Sequence, residues 1–572
     1  GTQATYFDST GTLRWAANNV IRNNTMVGAV AGTPGTAPTN WVAPVGFGTT
    51  VTIVGTGVQN GINYIDIRFN GTTSGAGGIA IYFESTTGAA ATAGQTFNLS
   101  SFLAVVGGST TNIQQIRLAH NWRQAAGADL SVTPGSALTL TSTLTRFDFS
   151  ATAPASTAFD LPFVQMVVGG AVAIDITLRI GMPQLEIGSV ANPVIATSGT
   201  AYYGPRLDYN PSTLAPLGLL IEEQRTNSIR NSTMQGASAP STIPTNWLSN
   251  VGGLTLGVVG TGTENGITYI DIRFSGTPSQ TFANVRFDGN TQIVAANGQT
   301  WTSSFYARMV AGSTTNIGAV ENRIQYRDSG GTAVFENASD FASTISAVSL
   351  SVARRNYTLT STSASTAFIN SAVSLTTTIG QAIDITLRIG LPQLELGAFA
   401  TSVIPTTTTA LTRNADVATM TGTNFSSWYN ATQGTLYAQA VPNSPTTNAA
   451  NQVLVSVDDG TTNNRMQLGR ANSSGAYSWF ISVAGVTGYN SIAGTFAASA
   501  TSSEALAYAA ADQKAAYAGT LDVGSGTGTI PTVNQMHIGT RADLGIPWNG
   551  TIKRISYYPT RLANSTLQAL TA

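Results

Sequence analysis

Hydrophobic and polar residues alternate with a period of two along much of this chain. In Tyr64-Ile65-Asp66-Ile67-Arg68-Phe69, the residues Ile65, Ile67 and Phe69 fall on one side, Asp66 and Arg68 on the other. Further on, Ile174, Ile176, Leu178 and Ile180 alternate with Asp175, Thr177 and Arg179. Successive side chains of a strand point to opposite faces, so these runs predict half-buried strands with one solvated face, as in antiparallel sandwiches. Short alternations punctuated by Gly, Asn and Pro recur throughout, and long Glu/Lys-rich amphipathic stretches are absent. The pattern predicts an all-β protein.

The strands are written twice. "YIDIRFNGT" at 64–72 returns as "YIDIRFSGT" at 269–277, and "GSTTNI" at 108–113 recurs at 312–317. "AIDITLRIGMPQLEIG" (173–188) returns as "AIDITLRIGLPQLELG" (382–397), and "IRNNTM" (21–26) as "IRNSTM" (229–234). Order and spacing are kept, so a whole domain is duplicated. The largest change in length falls between Ile113 and Ser156 and their counterparts, which marks a loop. The 572 residues suit about three or four domains. The boundaries read as an arm (1–20), a first module (21–195), a connector (196–228), a second module (229–404), a linker (405–420) and a third domain (421–572).

Charge then narrows the function. Charged residues make up 9% of the chain, the formal net charge is -1, and nearly every cation is arginine. Without a basic stripe, nucleic acid is not an expected partner. No cysteine is present, which excludes disulfides and thiolate metal sites. No apolar run approaches the ~18 residues that span a bilayer, so membrane insertion is not expected. The chain starts at Gly1 without a signal-peptide pattern, and an anchor upstream of it stays open.

The duplicated module, ending in "RIGMPQLEIG" or "RIGLPQLELG", resembles the carbohydrate-binding-module-like jelly rolls of bacteriophage virion proteins. "YFDSTGTLRWAANN" (6–19) and "PRLDYNPSTLAPLGLLIEEQRTN" (205–227) are similar to segments that precede such modules in phage fibres and spikes. "IPTTTTALTRNADVATMTGTNFSSWYN" (404–430) resembles the junction that follows them. The ending "MHIGTRADLGIPWNGTIKRISYYPTRLANSTLQAL" (536–570) resembles the last strands of concanavalin A-like, laminin-G-type sandwiches, with a short helix over Thr566 to Leu570. The resemblance implies two tandem jelly-roll β-sandwich modules plus a concanavalin A-like sandwich. It also implies a tail fibre or head spike on the exterior of the virion, a homotrimer among other virion proteins, that attaches to a host surface glycan. It implies no enzymatic activity. The alternatives are a capsid decoration without ligand, a polysaccharide depolymerase and a bacterial surface adhesin.

Candidate chemistry is sparse. Two histidines, His120 and His537, are too few for a zinc site or a Ser-His-Asp triad. Ile324 replaces His120 in the second copy, which suggests a surface or strand residue. The glycines of "VGTGVQNG" (54–61) precede a strand rather than a helix, so they read as a hairpin and not as a phosphate loop. Asp66 with Asp175, or Asp271 with Asp384, could make an acid pair. Arg68, Arg179, Arg273 and Arg388 along the same faces favour cross-strand ion pairs instead. Glu186 and Glu395 in "PQLE" are expected to fix the module exit by a hydrogen bond.

Sugars stack on aromatic faces supported by polar or Arg contacts. Trp122-Arg123 aligns with Tyr326-Arg327, giving an aromatic–Arg pair in both copies; Tyr429, Trp479 and Trp548, with Tyr557, are the candidates in the third domain. "SVDDGTTNNR" offers Asp458, Asp459 and Asn464 as oxygen ligands for calcium, or simply an Asp-Gly turn. No other cofactor is indicated.

The densest charge lies in the connector, at Arg206, Asp208, Glu222, Glu223 and Arg225. Adjacent glutamates beside an arginine suit an acid–base site or a joint between domains. Pro205, Pro211 and Pro216 suit turns and linkers. The expectation is a set of ion pairs that docks the connector, or a neighbouring subunit, at the module boundary.

Overall fold

The computed structural model describes residues 4–85, 87–346, 349–444, 451–471, 474–497 and 499–572. The chain divides into two units, Trp15–Gly204 on the one hand and Gly1–Arg14 with Pro205–Ala572 on the other.

In the first unit, the alternating runs make one sheet of five antiparallel strands. Their order is Thr145–Thr152, Thr96–Gly108, Ala173–Ile187, Ile62–Thr72, Thr50–Gln59. A second sheet runs Asp129–Pro134, Ile113–Arg123, Phe159–Val168, Gly77–Tyr82. The inward rows behave as the alternation requires: Ile65, Ile67, Phe69, Ile176, Leu178 and Ile180 all sit in the core between the sheets. Burying each such side chain contributes about 1.5–3 kcal/mol.

The second unit contains the duplicate. One sheet runs Thr255–Glu264, Ile267–Gly276, Ile383–Leu396, Thr300–Gly312, Arg354–Thr360. The other runs Leu248–Asn250, Phe282–Arg286, Phe368–Thr377, Ile317–Arg327, Ala333–Asp340. The exits are pinned as expected: Asn192 donates from its side-chain amide (2.7 Å) and its N–H (3.0 Å) to Glu186. The Thr401 hydroxyl (2.5 Å) and N–H (3.0 Å) donate to Glu395.

The same unit carries a third sandwich. Its six-stranded sheet runs Ala418–Thr421, Gln535–Ile538, Gln452–Asp458, Arg465–Arg470, Tyr477–Val483, Val486–Ala493. The facing sheet includes part of the segment read as a connector. Leu207–Tyr209 and Pro216–Ile221 form a hairpin that pairs with Gly550–Tyr558, Leu219 opposite Ile552. Ile221 thereby enters the third core beside Leu436, Leu454 and Trp548. A helix over Asn564–Thr571 buries Leu567, close to the expected span.

The glycine-rich stretches are hairpins, as their position before a strand predicts. A Cβ on Gly57 would lie 2.6 Å from the Tyr64 hydroxyl, and one on Gly262 would lie 2.7 Å from that of Tyr269. The glycines make room for those rings, which in turn receive arginines.

Candidate functional site

On the outward face of the five-stranded sheet in each copy, arginine and aspartate close a lattice across adjacent strands. Arg68 binds Asp175 through two bonds of 2.8 Å, and Arg179 binds Asp66 in the same bidentate way. The duplicate repeats this with Arg273 on Asp384 (2.8 and 2.6 Å) and Arg388 on Asp271 (both 2.8 Å). Arg179 lies 3.6 Å from the centre of the Tyr64 ring, and Arg388 3.6 Å from that of Tyr269. Hydrogen bonds from Arg68 and Arg273 hold the Asp175 and Asp384 carboxyls below their ordinary value. Glycoside hydrolysis needs one carboxyl kept protonated beside an ionised one. This face ties its carboxylates to arginines instead.

The opposite sheet separates the two members of each aromatic–Arg pair. Neighbours in a strand point to opposite faces, so Trp122 and Arg123 cannot line one site, and neither can Tyr326 and Arg327. Trp122 is fully buried, stacks on His120 at 4.9 Å, and donates its indole N–H to Thr133 at 2.8 Å. Tyr326 is also buried, its hydroxyl donating to the Leu359 carbonyl at 2.6 Å. Both rings belong to the cores, and no ring face is left open for a sugar. His120 lies on a strand as expected but is wholly buried, its Nδ1 2.6 Å from Asp160. Burial raises the Asp160 carboxyl, against the opposing pull of His120.

Arg123 and Arg327 point outward, onto the outer face of this sheet, called the trough below. In the first sandwich its rows include Tyr82, Phe163, Asn121 and Arg123, with Tyr82 and Phe163 4.9 Å apart. Leu161 and Phe163 lie outside the core cluster yet are buried. Arg123 (3.0 Å) and Asn121 (2.9 Å) converge on Asp129.

In the second sandwich the corresponding rows are polar. Arg323 joins Glu321 (2.6 Å) to Glu336 (3.0 Å), Gln325 donates to Glu336 (2.5 Å), and Arg327 donates to Gln325 (2.7 Å) and to the Gly331 carbonyl (2.7 Å). Asn284, Asn370 and Ser374 are at most 2% exposed although they face outward. Their Oδ1, Oδ1 and Oγ atoms have no hydrogen-bond partner among the described residues, and the same holds for Nε of Arg286 and Arg327.

Sequence reasoning missed Tyr82, Phe163, Arg286 and Asn370. The signal was present: "FDLPFVQMV" (159–167) and "FINSAVSLT" (368–376), taken in alternate rows, change Leu161 to Asn370 and Phe163 to Ala372 on the outward side.

In the third sandwich Trp479 and Trp548 are fully buried and are core residues, not ligand platforms. Buried aromatics there close the space between two sheets. Tyr429 differs. It joins Trp428 and Tyr557 in a partly exposed cluster, with Trp428 and Tyr557 rings 4.8 Å apart. Tyr508 donates beneath it to the Asn430 carbonyl at 2.8 Å. Burial pushes the Tyr429 phenol up to about 12.

The Asp458 carboxylate is occupied by protein donors: Ser456 (2.8 Å), Gly460 N–H (2.9 Å) and Gln535 (3.1 Å), with His537 Nδ1 2.9 Å away. Asp459 accepts from Thr461 (2.6 Å) and Asn464 (2.8 Å), closing its own turn. Among the described residues no group of three or more His, Cys, Asp or Glu is placed to hold a metal ion. The donor set at Asp458 and Asp459 fits the turn reading better than calcium.

The connector charges are brought together with two residues that follow the second sandwich. Arg206 donates to Glu222 at 2.6 Å and also to Asp416, while Arg413 lies 3.5 Å from Glu222. Ser402 donates N–H (2.7 Å) and hydroxyl (2.6 Å) to Glu222. Burial alone would raise Glu222, but facing Arg413, then Arg206 and Ser402, hold its carboxyl at about 2. Glu223 pairs with Arg225 and accepts from the Asn549 amide at 2.8 Å. Asp208 accepts the Phe7 N–H at 2.8 Å; burial, with Glu222 nearby, raises it to about 6. Each charge has a structural partner, and the cluster is a joint.

No family model matches the chain, and no curated protein matches it. Among solved structures, the CBM40 of a Ruminococcus gnavus IT-sialidase bound to α2,6-sialyllactose is 21% identical, over 25% of this chain and 85% of that one, at a TM-score of 0.22. The tandem CBM22 domain of Paenibacillus barcinonensis Xyn10C is 11% identical over 67% and 99%, at 0.19. The tripod from the baseplate of bacteriophage Tuc2009 is 13% identical over 47% and 89%, at 0.22. Likeness at this level assigns neither family nor activity.

Proposed function

We propose that this chain is a surface protein of a bacteriophage particle that attaches to host polysaccharide, binding sugar through the trough faces of its duplicated sandwiches. One observation carries the reading. The two copies keep the Arg–Asp–Tyr lattice residue for residue on one outer face and rewrite the other outer face almost completely. Tyr82, Leu161, Phe163 and Ala119 in the first become Arg286, Asn370, Ala372 and Arg323 in the second. A scaffold needs its ion pairs in both copies, whereas a recognition face is free to change. Aromatic and amide groups on a sheet face suit sugar rings and hydroxyls. The Trp428–Tyr429–Tyr557 cluster is a further platform of the same chemistry.

The bacteriophage setting rests on the sequence resemblance of the connector and junction phrases, and the homotrimer on the same class. Light scattering of the purified chain tests the stoichiometry, with a monomer counting against it. A glycan array with the full chain tests binding. Retention of at least one glycan class, lost when Tyr82→Ala with Arg123→Ala in the first copy is combined with Arg286→Gln in the second, is the expected result; no retention anywhere on the array sinks the reading. Release of reducing ends from a bound polysaccharide would replace attachment by depolymerase activity.

A further inference from the structure

The two trough faces differ most in charge. In the second sandwich Arg286 stands on the edge-side strand Phe282–Arg286, opposite Ala372, and Arg327 stands opposite Phe368 on the far side of the Phe368–Thr377 strand. Almost every arginine on the lattice face ends on a carboxylate. By contrast, the Arg286 guanidinium has no ion pair and no hydrogen bond among the described residues. Arg327 is buried and ends on an amide and a carbonyl rather than on a carboxylate. Between these two cations lies Asn370, fully buried, with its Oδ1 unpartnered and its amide donating to Asn290 at 3.0 Å.

Two partly desolvated guanidiniums on one face repel one another, and burial lowers the basicity of both. Glu336 and Asp328 offset part of this at Arg327, whereas no carboxylate offsets it at Arg286, which leaves that cation free to take an anion. Guanidinium donors match a carboxylate in a planar, two-point geometry. The first sandwich has Tyr82 at the position of Arg286 and Leu161 at that of Asn370, so it offers no such pair of cations.

We propose that the trough of the second sandwich binds an acidic glycan, with the carboxylate of a uronic or sialic acid held between Arg286 and Arg327. The inference rests on the glycan-binding reading above and narrows it to a ligand class and to one of the two copies.

The test uses the full chain and three probes, a hyaluronan hexasaccharide, a hexagalacturonate and a sialic acid trimer. Each is titrated calorimetrically beside its carboxyl-reduced counterpart. At least one acidic probe should bind, and reduction of its carboxyls should weaken it by about tenfold or more, as for charged hydrogen bonds. Arg286→Gln should cause a similar loss, Arg286→Lys a smaller one, and Arg68→Ala, on the lattice face, none. Binding should also weaken as salt rises. Because the Arg286 side chain makes no bond of its own and is repelled by Arg327, R286Q should melt no lower than the native protein, which separates a lost contact from a lost fold. Equal affinity for acidic and reduced probes, or acidic binding unchanged in R286Q, overturns the proposal while leaving glycan binding intact. Binding to no glycan of any charge overturns both.

Discussion

Arg206 donates to the Glu222 carboxylate at 2.6 Å, with the two side chains only 1% and 3% exposed. A charge this deep is held by geometry: Arg413, Asp416 and Ser402 complete the cluster around the pair. It ties the hairpin strand Pro216–Ile221, the exit of the second sandwich at Ser402, and the segment entering the third at Asp416.

Removing one partner should therefore cost far more than the pair is worth. Glu222→Gln or Arg206→Met leaves uncompensated buried charge and should destabilise the unit by about 3–5 kcal/mol. Chemical denaturation checks this, and a change below about 1 kcal/mol would show the cluster to be dispensable.

The same carboxyl sets a response to acid. Glu222 is held at about 2 against an ordinary value of 4.5. Its contribution is complete above pH ~4.5 and is lost as pH falls from there toward ~2. The melting temperature of Glu222→Gln should accordingly be flatter with pH over that window than that of the native chain.

Asp208 titrates in the opposite sense. Its carboxyl is raised from 3.8 to about 6, so the folded state holds the proton more tightly than the unfolded state. The stability this supplies is complete below pH ~3.8 and is lost as pH rises through ~6. Asp208→Asn keeps an acceptor for the Phe7 N–H without the charge. It should melt higher than the native chain at pH 7 and no higher at pH 4. An equal shift at both pH values counts against the titration.

Adjacent residues on one strand should respond in opposite ways. Trp122→Ala empties a buried ring position and should cost about 3–5 kcal/mol. Arg123→Ala, on the outward side, should leave stability nearly unchanged and act on binding. Equal losses of stability would place both side chains in the core.

The lattice face should show graded losses. Arg179 is shielded by Tyr64 and bonded to both Asp66 and Gln59, whereas Arg68 and Asp175 are open to solvent. Arg179→Ala should lower the melting temperature more than Arg68→Ala, whose pair is screened by water and salt. Glycan binding should survive both substitutions.

The class of fold, the duplication and the lattice are legible in the local pattern of residues. Alternation assigns Ile65, Ile67 and Phe69 to a core and Asp66 and Arg68 to a surface, because the period of a strand is local and needs no partner. Two copies of one phrase imply two copies of one sandwich, and charges recurring at the same offsets imply the same cross-strand pairs. Glu186 and Glu395 were legible for that reason, and so was the joint at Glu222.

Which faces are open follows from long-range pairing. Trp122, Tyr326, Trp479 and Trp548 carry the residue type that a sugar site needs, but each points into the space between two sheets, where packing claims it. Arg286, Asn370 and Gln325 lie on three strands far apart in sequence and become neighbours only through the register of the sheet. Likewise, nothing in residues 207–221 announces that their hairpin will pair with Gly550–Tyr558, because that bond pattern belongs to a strand more than three hundred residues away. Local periodicity fixes what a strand buries; long-range pairing fixes which exposed groups face one another, and therefore what the protein can hold.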